Sequence, residues 1–253
     1  MNFSKRNLVI LSLVALMVIP VSGVLAQDKG SGQQNQPTVV ATVNDAKITQ
    51  QELSQAAQMR QITFMAMRRQ LPQKFATFLL SNEEGRKFIE EYQKYVLDFL
   101  IDEEIKAQKA EELGITVSDK EVDEAVQKQV DSIINRSQQY KSEEDLAKAY
   151  ESQTNRKWKD YKENIRTQQK ESLKISKLQE EVTGDIQVTD TEIKNFYENN
   201  KQSFSGQDGV KPLEEVRGQI ESTLKNQKRS QEFNKWLQEE REKAEIEKDL
   251  EGL

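Results

Sequence analysis

A helix start signal recurs along this chain of 253 residues and points to a mainly helical fold. In a capping box, a Ser or Thr and a Glu three residues later satisfy two backbone N–H groups at a helix N-terminus. The boxes are Thr49-x-x-Glu52, Ser81-x-x-Glu84, Ser118-x-x-Glu121 and Thr189-x-x-Glu192, with a weaker version at Ser142-x-x-Asp145. One box is a weak signal, but four boxes, each followed by helical apolar spacing, predict a mainly α protein.

The apolar spacing between these signals predicts the individual helices. Helices are expected over 49 to about 69, 74–80, 81–113, from 118, near 146–150, over 158–184, from 189, and over 212–237. The helix over 81–113 carries an apolar stripe, and Gly114 is placed to end it in the left-handed conformation, with Ile115 just beyond. The stripe consists of Phe88, Tyr92, Tyr95, Phe99 and Ile105, widened by Val96 and Leu100.

Residues 38–48 differ from the rest because they are rich in β-branched side chains around an Asn44-Asp45 turn signal. This pattern predicts a small β-hairpin. Since a lone hairpin is marginally stable in water, it needs a third strand or a helix to cover it. The alternating residues 244–247 are the candidate third strand, which would join the N-terminal and C-terminal segments in one sheet.

The charge and residue counts exclude several classes of protein. With 37 basic and 43 acidic residues, the net charge is −6, too acidic overall for a typical nucleic-acid binder. A mean hydropathy of −0.82 excludes a polytopic membrane protein. The chain has no Cys and no His, which removes thiolate and imidazole metal ligands and the catalysts built on them. Paired carboxylates such as Glu90-Glu91 are interpreted as solvated helix surface, so we predict no catalytic residue, metal or cofactor.

The first 26 residues have the pattern of a secretory signal. Lys5 and Arg6 precede an apolar run over 8–19, and small residues before position 27 provide a cleavage site after Ala26. The alternative is an uncleaved anchor. Residues 27–37 are polar and read as a flexible linker. An exported protein is expected, periplasmic in preference to extracellular.

One segment, residues 58–80, is unusually apolar and holds three methionines within nine residues. Methionine is flexible and polarisable, and suits either irregular core packing or a surface that accepts varied apolar partners. Both interpretations remain open at this point. The candidate contact residues are Met59, Ile62, Phe64, Met65, Met67, Leu71, Phe75, Phe78 and Leu79.

Four stretches of the chain, taken in order, resemble the SurA/PrsA/PpiD group of exported foldases. Together they cover most of residues 38–250. They are the opening at 39–49 (VVATVNDAKIT), the junction between long helices at 100–119, the stretch over 188–204, and the C-terminal helix at 212–237.

The chain departs from that family between Phe204 and Pro212. Family members place one or more parvulin prolyl-isomerase domains there, whereas seven residues, 205–211, form a short loop here. A parvulin domain needs on the order of 90–100 residues, and its active site usually includes His. The resemblance therefore does not extend to isomerase activity, and no enzyme is expected.

What the resemblance implies is the family's chaperone module. It would comprise a helical domain over 38–204 completed by a helix and strand over 212–250. An apolar groove would bind extended, unfolded exported proteins without ATP, and a homodimer is possible. The alternative is a structural or assembly module that docks one dedicated envelope partner. A third reading is a foldase that obtains isomerase activity from a partner subunit.

Overall fold

The computed structural model describes residues 37–68, 71–137, 139–206 and 209–249. These residues form nine α-helices, a single 3-10 turn and five short strands, so the predicted mainly α fold with a small sheet is confirmed. The elements are β1 (Val39–Val43), β2 (Ala46–Thr49), α1 (Gln50–Ala56), α2 (Met59–Met67), α3 (Gln73–Ser81), α4 (Glu83–Glu112), α5 (Asp119–Arg136), α6 (Glu143–Thr154), α7 (Trp158–Thr183), α8 (Asp190–Asn199), the 3-10 turn (Lys201–Phe204), β3 (Ser205–Gly206), β4 (Gly209–Val210), α9 (Leu213–Lys243) and β5 (Ile246–Lys248).

The chain divides into two compact units. Unit 1 contains the described residues of 1–101, 118–170 and 246–253, and unit 2 contains 102–117 and 171–245. The predicted signal segment 1–26 and nearly all of the predicted linker 27–37 lie outside the described residues. Within the described ranges, no helix is long and apolar enough to cross a membrane.

Unit 1 contains a three-stranded antiparallel sheet in the order β2-β1-β5. The hairpin turns at Asn44, whose φ of 53° is the left-handed conformation that Asn tolerates. Val43 of β1 pairs with Ala46 on one side and with Ile246 on the other. The predicted third strand is therefore confirmed, two residues further along than 244–247.

Three of the four capping boxes form as predicted. In each of them the Ser or Thr side chain accepts from the third backbone N–H of the helix, and the Glu carboxylate accepts from the cap's own N–H. The capping residues are Thr49, Ser118 and Thr189. At the weaker signal, Ser142 accepts from the N–H of Asp145 and caps α6.

Two predictions about the region between 49 and 113 are wrong. The helix that Thr49 caps does not run on to 69, because Gln58 takes a φ of 51° and divides it into α1 and α2. The box at Ser81 does not form, because Ser81 ends α3 and α4 begins at Glu83. The carbonyl of Asn82 accepts from the N–H of Arg86 at 3.1 Å, so Asn82 stands at the start of α4 in its place.

Each unit has its own buried side chains. Val130, Tyr140, Leu146 and Trp158 form a cluster in unit 1. In unit 2, α8 packs on α9 through Ile193, Tyr197, Val216 and Ile220, and a second cluster joins Ala110, Leu178 and Phe233.

The described residues at the two ends of the predicted loop 205–211 pair with each other. Ser205 pairs with Val210 in a two-strand antiparallel ladder, β3–β4. The hydroxyl of Tyr197 donates to the carbonyl of Lys211 at 2.7 Å, which ties the end of this hairpin to α8 within unit 2.

Candidate functional site

Large apolar side chains that stay exposed are concentrated on α2, on α3 and on the part of α4 that belongs to unit 1. In the part of the chain that the structure describes, nine such side chains are exposed, and seven of them lie on α2, α3 and α4. A cluster of this kind marks an interaction site more often than scattered single exposures do. The seven, which we call the α2–α4 surface, are Phe64, Met67, Phe75, Leu80, Phe88, Tyr95 and Phe99.

The shortness of α2 and α3 explains why so many of their apolar side chains are exposed. Each helix has nine residues, and each buries only a narrow side. In α2 that side is Ala66, and in α3 it is Ala76 and Leu79. The remaining apolar residues on these short helices have too little neighbouring structure to cover them.

Aromatic contacts order part of this surface. The rings of Phe75 and Phe78 stack with centroids 6.4 Å apart. The Arg68 guanidinium lies 4.9 Å from the centroid of Phe64, in a cation–π contact. These contacts position flat aromatic faces at the surface while leaving Phe64 half exposed.

A glycine allows α4 to start in close contact with α3. A Cβ built on Gly85 would lie 1.8 Å from the carbonyl oxygen of Phe78, so no larger residue fits there without a backbone shift. Gly85 is buried. This close approach fixes the start of α4 beside the Phe75–Phe78 pair.

Along α4 the exposed aromatics form a stripe. Phe88, Tyr92, Tyr95 and Phe99 are separated by four, three and four residues, which places them within about 60° of one another around the helix. Tyr92 is half-buried and the other three are exposed. The buried side of the helix is formed instead by Val96, Leu97, Leu100, Ile101 and Ile105.

The structure separates the predicted contact residues of segment 58–80 by exposure. Phe64, Met67 and Phe75 are exposed, with Met67 at 74%. Met59, Ile62, Met65, Leu71 and Phe78 are half-buried. Leu79 is only 3% exposed, so its side chain serves packing and is not available as a surface contact.

Phe88, Tyr95 and Phe99 were not among the predicted contact residues, because their spacing is that of a buried stripe. A signal was available in the sequence. Together with Val96, Leu97, Leu100 and Ile101 they make an apolar face wider than one packed helix can bury, so part of it had to remain exposed.

A groove of unit 1 that is separate in sequence from the α2–α4 surface is lined mainly by polar and charged side chains. It has a volume of about 490 Å³ and lies between α5, α6 and α7, lined by Trp158, Lys162 and Arg166 among others. Glu143 accepts from Trp158 Nε1 and from Lys162 Nζ, each at 2.9 Å, and these bonds lower the pKa of its carboxyl. Arg166 binds Asp119 and Asp123. These paired charges are structural and leave little for a ligand.

The carboxylates that are adjacent in the sequence bind side chains one helical turn away, as expected for a helix surface. Lys94 Nζ lies 2.7 Å from Glu91, and Gln108 donates to Glu104 at 2.9 Å. Among the described residues, no group of three acidic side chains could hold a metal ion.

Comparison with known proteins finds similarity to foldases and chaperones. The family model of the SurA-like N-terminal domain matches residues 2–145. The chain is 31% identical over 194 residues to the foldase protein PrsA of Caldanaerobacter subterraneus subsp. tengcongensis, covering 76% of this chain and 51% of the relative. It is 30% identical over 188 residues to the chaperone SurA of Legionella pneumophila, covering 74% and 37%. The chain thus spans about half, or less, of these relatives.

A solved structure shows the same fold. It belongs to work on two structurally related SurA-like chaperones of Campylobacter jejuni, the virulence factor PEB4 and the periplasmic protein Cj1289. The TM-score is 0.50 at 14% identity, and the match covers 83% of this chain and 99% of that one. At this identity the likeness establishes the fold alone.

Proposed function

We propose that this chain, which belongs to the family of the SurA-like N-terminal domain, is an ATP-independent chaperone of the cell envelope. It would hold unfolded exported proteins in extended form through the α2–α4 surface. The periplasm is the favoured compartment, given the signal-like N-terminus and a fold shared with SurA-like chaperones, of which Cj1289 is periplasmic.

The observation that carries this proposal is the concentration of exposed apolar side chains on α2, α3 and α4. Burying apolar surface gains roughly 25 cal/mol per Å² whatever the sequence that covers it. A surface of flexible methionine and flat aromatic rings can therefore bind many different unfolded segments. Release needs no ATP when such contacts are individually weak.

The proposed chaperone has no prolyl-isomerase activity. Where the family places a parvulin domain, the described residues between Phe204 and Pro212 form only the ends of the β3–β4 hairpin. The chain also has no His. A peptide assay of proline isomerisation should show the uncatalysed rate, and acceleration by the purified chain would contradict this part.

The holding activity is tested by aggregation of a chemically unfolded protein, followed by light scattering without ATP. The chain should suppress scattering at near-stoichiometric amounts. The combined substitutions Phe64→Ser, Met67→Ser and Phe75→Ser should weaken suppression, because they remove exposed apolar contacts. Met67 is 74% exposed, so its substitution should change the free energy of unfolding by no more than about 0.5 kcal/mol. Phe64 and Phe75 are about half covered, so each of their substitutions should lower it by roughly 1–2 kcal/mol.

A matched control uses the two exposed apolar side chains outside this surface, Leu113 and Val210. Leu113→Ser with Val210→Ser should leave suppression unchanged. Equal suppression by the triple variant and the parent would show that the site is wrong. No suppression of several unrelated clients, together with tight binding of one envelope protein, would instead support the dedicated-partner alternative.

A further inference from the structure

We infer that the α2–α3 part of the surface selects extended segments in which apolar residues are flanked by Asp or Glu. This inference rests on the proposed function and narrows it, since it names the chemical class of client that the site prefers. It follows from how charge is distributed around the exposed apolar side chains.

Residues 53–82 contain no acidic residue in a protein that is acidic overall. This run of 30 residues holds Arg60, Arg68, Arg69 and Lys74, for a charge of +4. Since the whole chain has a net charge of −6, the rest of it carries −10. The run includes all of α2 and α3, so the exposed apolar side chains of these two helices lie on a stretch of chain whose only charges are positive.

Three cations of this run are available to a ligand. Arg60, Arg68 and Lys74 are exposed. Among the described residues, no carboxylate lies within ion-pair distance of them, in contrast to the i,i+3 and i,i+4 pairs that neutralise Lys87 and Lys94 on α4. The Arg68 guanidinium lies over the ring of Phe64, a contact that uses its flat face and leaves its N–H edge able to bind a carboxylate.

The arrangement fits a narrow acidic peptide better than an anionic membrane. Glu83 pairs with Lys87, and Glu84 and Arg86 are both exposed, so the start of α4 over residues 83–87 carries no net charge. A flat anionic surface approaching α3 would also approach the rest of a chain whose net charge is −6, which disfavours its binding. An extended peptide is narrow enough to contact only Phe64, Phe75 and the cations between residues 60 and 74.

The size of the selectivity follows from the strength of exposed ion pairs. Each changes a binding constant by a factor of about 1.4 to 5. Three such contacts should make an acidic-flanked peptide bind roughly tenfold more tightly than a peptide with the same apolar core and Lys flanks. Because exposed charges are screened, raising the salt from 0.05 M to 0.5 M should remove most of the difference.

The test uses three labelled peptides with one aromatic-rich core and flanks of Asp, Asn or Lys, titrated with the full chain by fluorescence anisotropy. The expected order of affinity is Asp, then Asn, then Lys. Arg60→Gln, Arg68→Gln and Lys74→Gln together should bring the three affinities together while leaving the Asn-flanked peptide bound.

A control variant makes the same change of net charge elsewhere on unit 1. Lys128→Gln, Lys141→Gln and Lys157→Gln replace exposed lysines and should preserve the order. Equal affinities for all three peptides on the parent chain would overturn the inference and leave the proposed function standing. No binding of any peptide would overturn both. Binding of phosphatidylglycerol vesicles, lost in the α2–α3 variant, alongside charge-independent peptide binding would show that the cations serve a membrane instead.

Discussion

At the scale of single residues, Gly85 determines whether α3 and α4 can meet. Alanine there would place its Cβ 1.8 Å from the Phe78 carbonyl oxygen, which the backbone must move to relieve. We expect Gly85→Ala to lower the free energy of unfolding by about 1–3 kcal/mol. In α9, nothing lies within 4 Å of a Cβ on Gly218, so Gly218→Ala should raise it by about 0.5–1 kcal/mol.

Urea denaturation of the two variants beside the parent checks this pair. Both changes put alanine into a helix, so helix propensity acts in the same direction in each. Opposite signs of the stability change would support the close approach at Gly85, whereas a stabilised Gly85→Ala variant would show that α3 and α4 are further apart.

Glu192 shows how one side chain makes stability depend on pH. A bond from Lys228, then bonds from the backbone and side chain of Thr189, lower the pKa of its carboxyl from its usual 4.5 to about 2. A carboxyl with a lowered pKa in the folded state stabilises the fold above 4.5, and that contribution is lost as the pH falls towards 2.

Replacing this carboxylate by an amide isolates the charge. Glu192→Gln should be less stable than the parent at pH 7, and the difference should shrink below pH 4.5 and vanish near pH 2. Urea denaturation of both proteins across this range measures it. A difference that stays constant from pH 7 to pH 2 would mean that the charge of Glu192 contributes nothing.

At the scale of elements, the end of α4 shows how a local sequence fixes a structure. Gly114 has a φ of 65°, and the N–H groups of Gly114 and Ile115 donate to the carbonyls of Glu111 and Ala110 at 2.9 and 2.8 Å. This is the Schellman arrangement, and Ile115 packs beside Ala110 in unit 2.

The backbone conformation, not space, makes glycine necessary at this helix end. Nothing lies within 4 Å of a Cβ on Gly114. Gly114→Ala should therefore cost about 1–2 kcal/mol of folding stability, from the left-handed φ alone. Gly114→Asn should cost less, because Asn tolerates this conformation better. Thermal or urea unfolding would rank the three proteins, and an Ala variant as stable as the parent would contradict the assignment.

The sequence predicts a helix end when that end depends on residues adjacent in the chain. It does not predict a helix end that depends on packing against other elements. The boxes at Thr49, Ser118 and Thr189 are local hydrogen-bond patterns and form as predicted. The break at Gln58 could not be predicted, because Gln seldom takes a positive φ and only the surrounding structure imposes it. The box at Ser81 does not form, because α4 begins two residues later, where Gly85 packs against the backbone of Phe78.

The candidate surface shows the same limit. The sequence identified segment 58–80 as unusually apolar, but not which side chains would be covered. Leu79 is buried while Phe75, four residues earlier on the same helix, is exposed. Burial of that kind depends on contacts between elements, which a single sequence does not specify.

At the scale of the whole molecule, unit 1 is assembled from three separate stretches of chain. Val43 pairs with Ile246, and Lys248 Nζ lies 2.6 Å from Asp98, so the C-terminal strand completes the unit that begins at β1. The exposed residues of the α2–α4 surface therefore belong to a unit whose sheet is completed by β5, near the C-terminus. Such distant pairing costs loop-closure entropy, which a well-packed unit must offset.

The most direct test of the central claim is site-specific photo-crosslinking to a urea-unfolded client diluted into the full chain. A photoreactive residue would replace Phe64, Met67, Phe75 or Tyr95 on the α2–α4 surface, and Leu113 or Val210 outside it. The account predicts client adducts at the first four positions, few at the other two, and none with the folded client. Equal yields at all six positions, or adducts confined to positions 113 and 210, would contradict it.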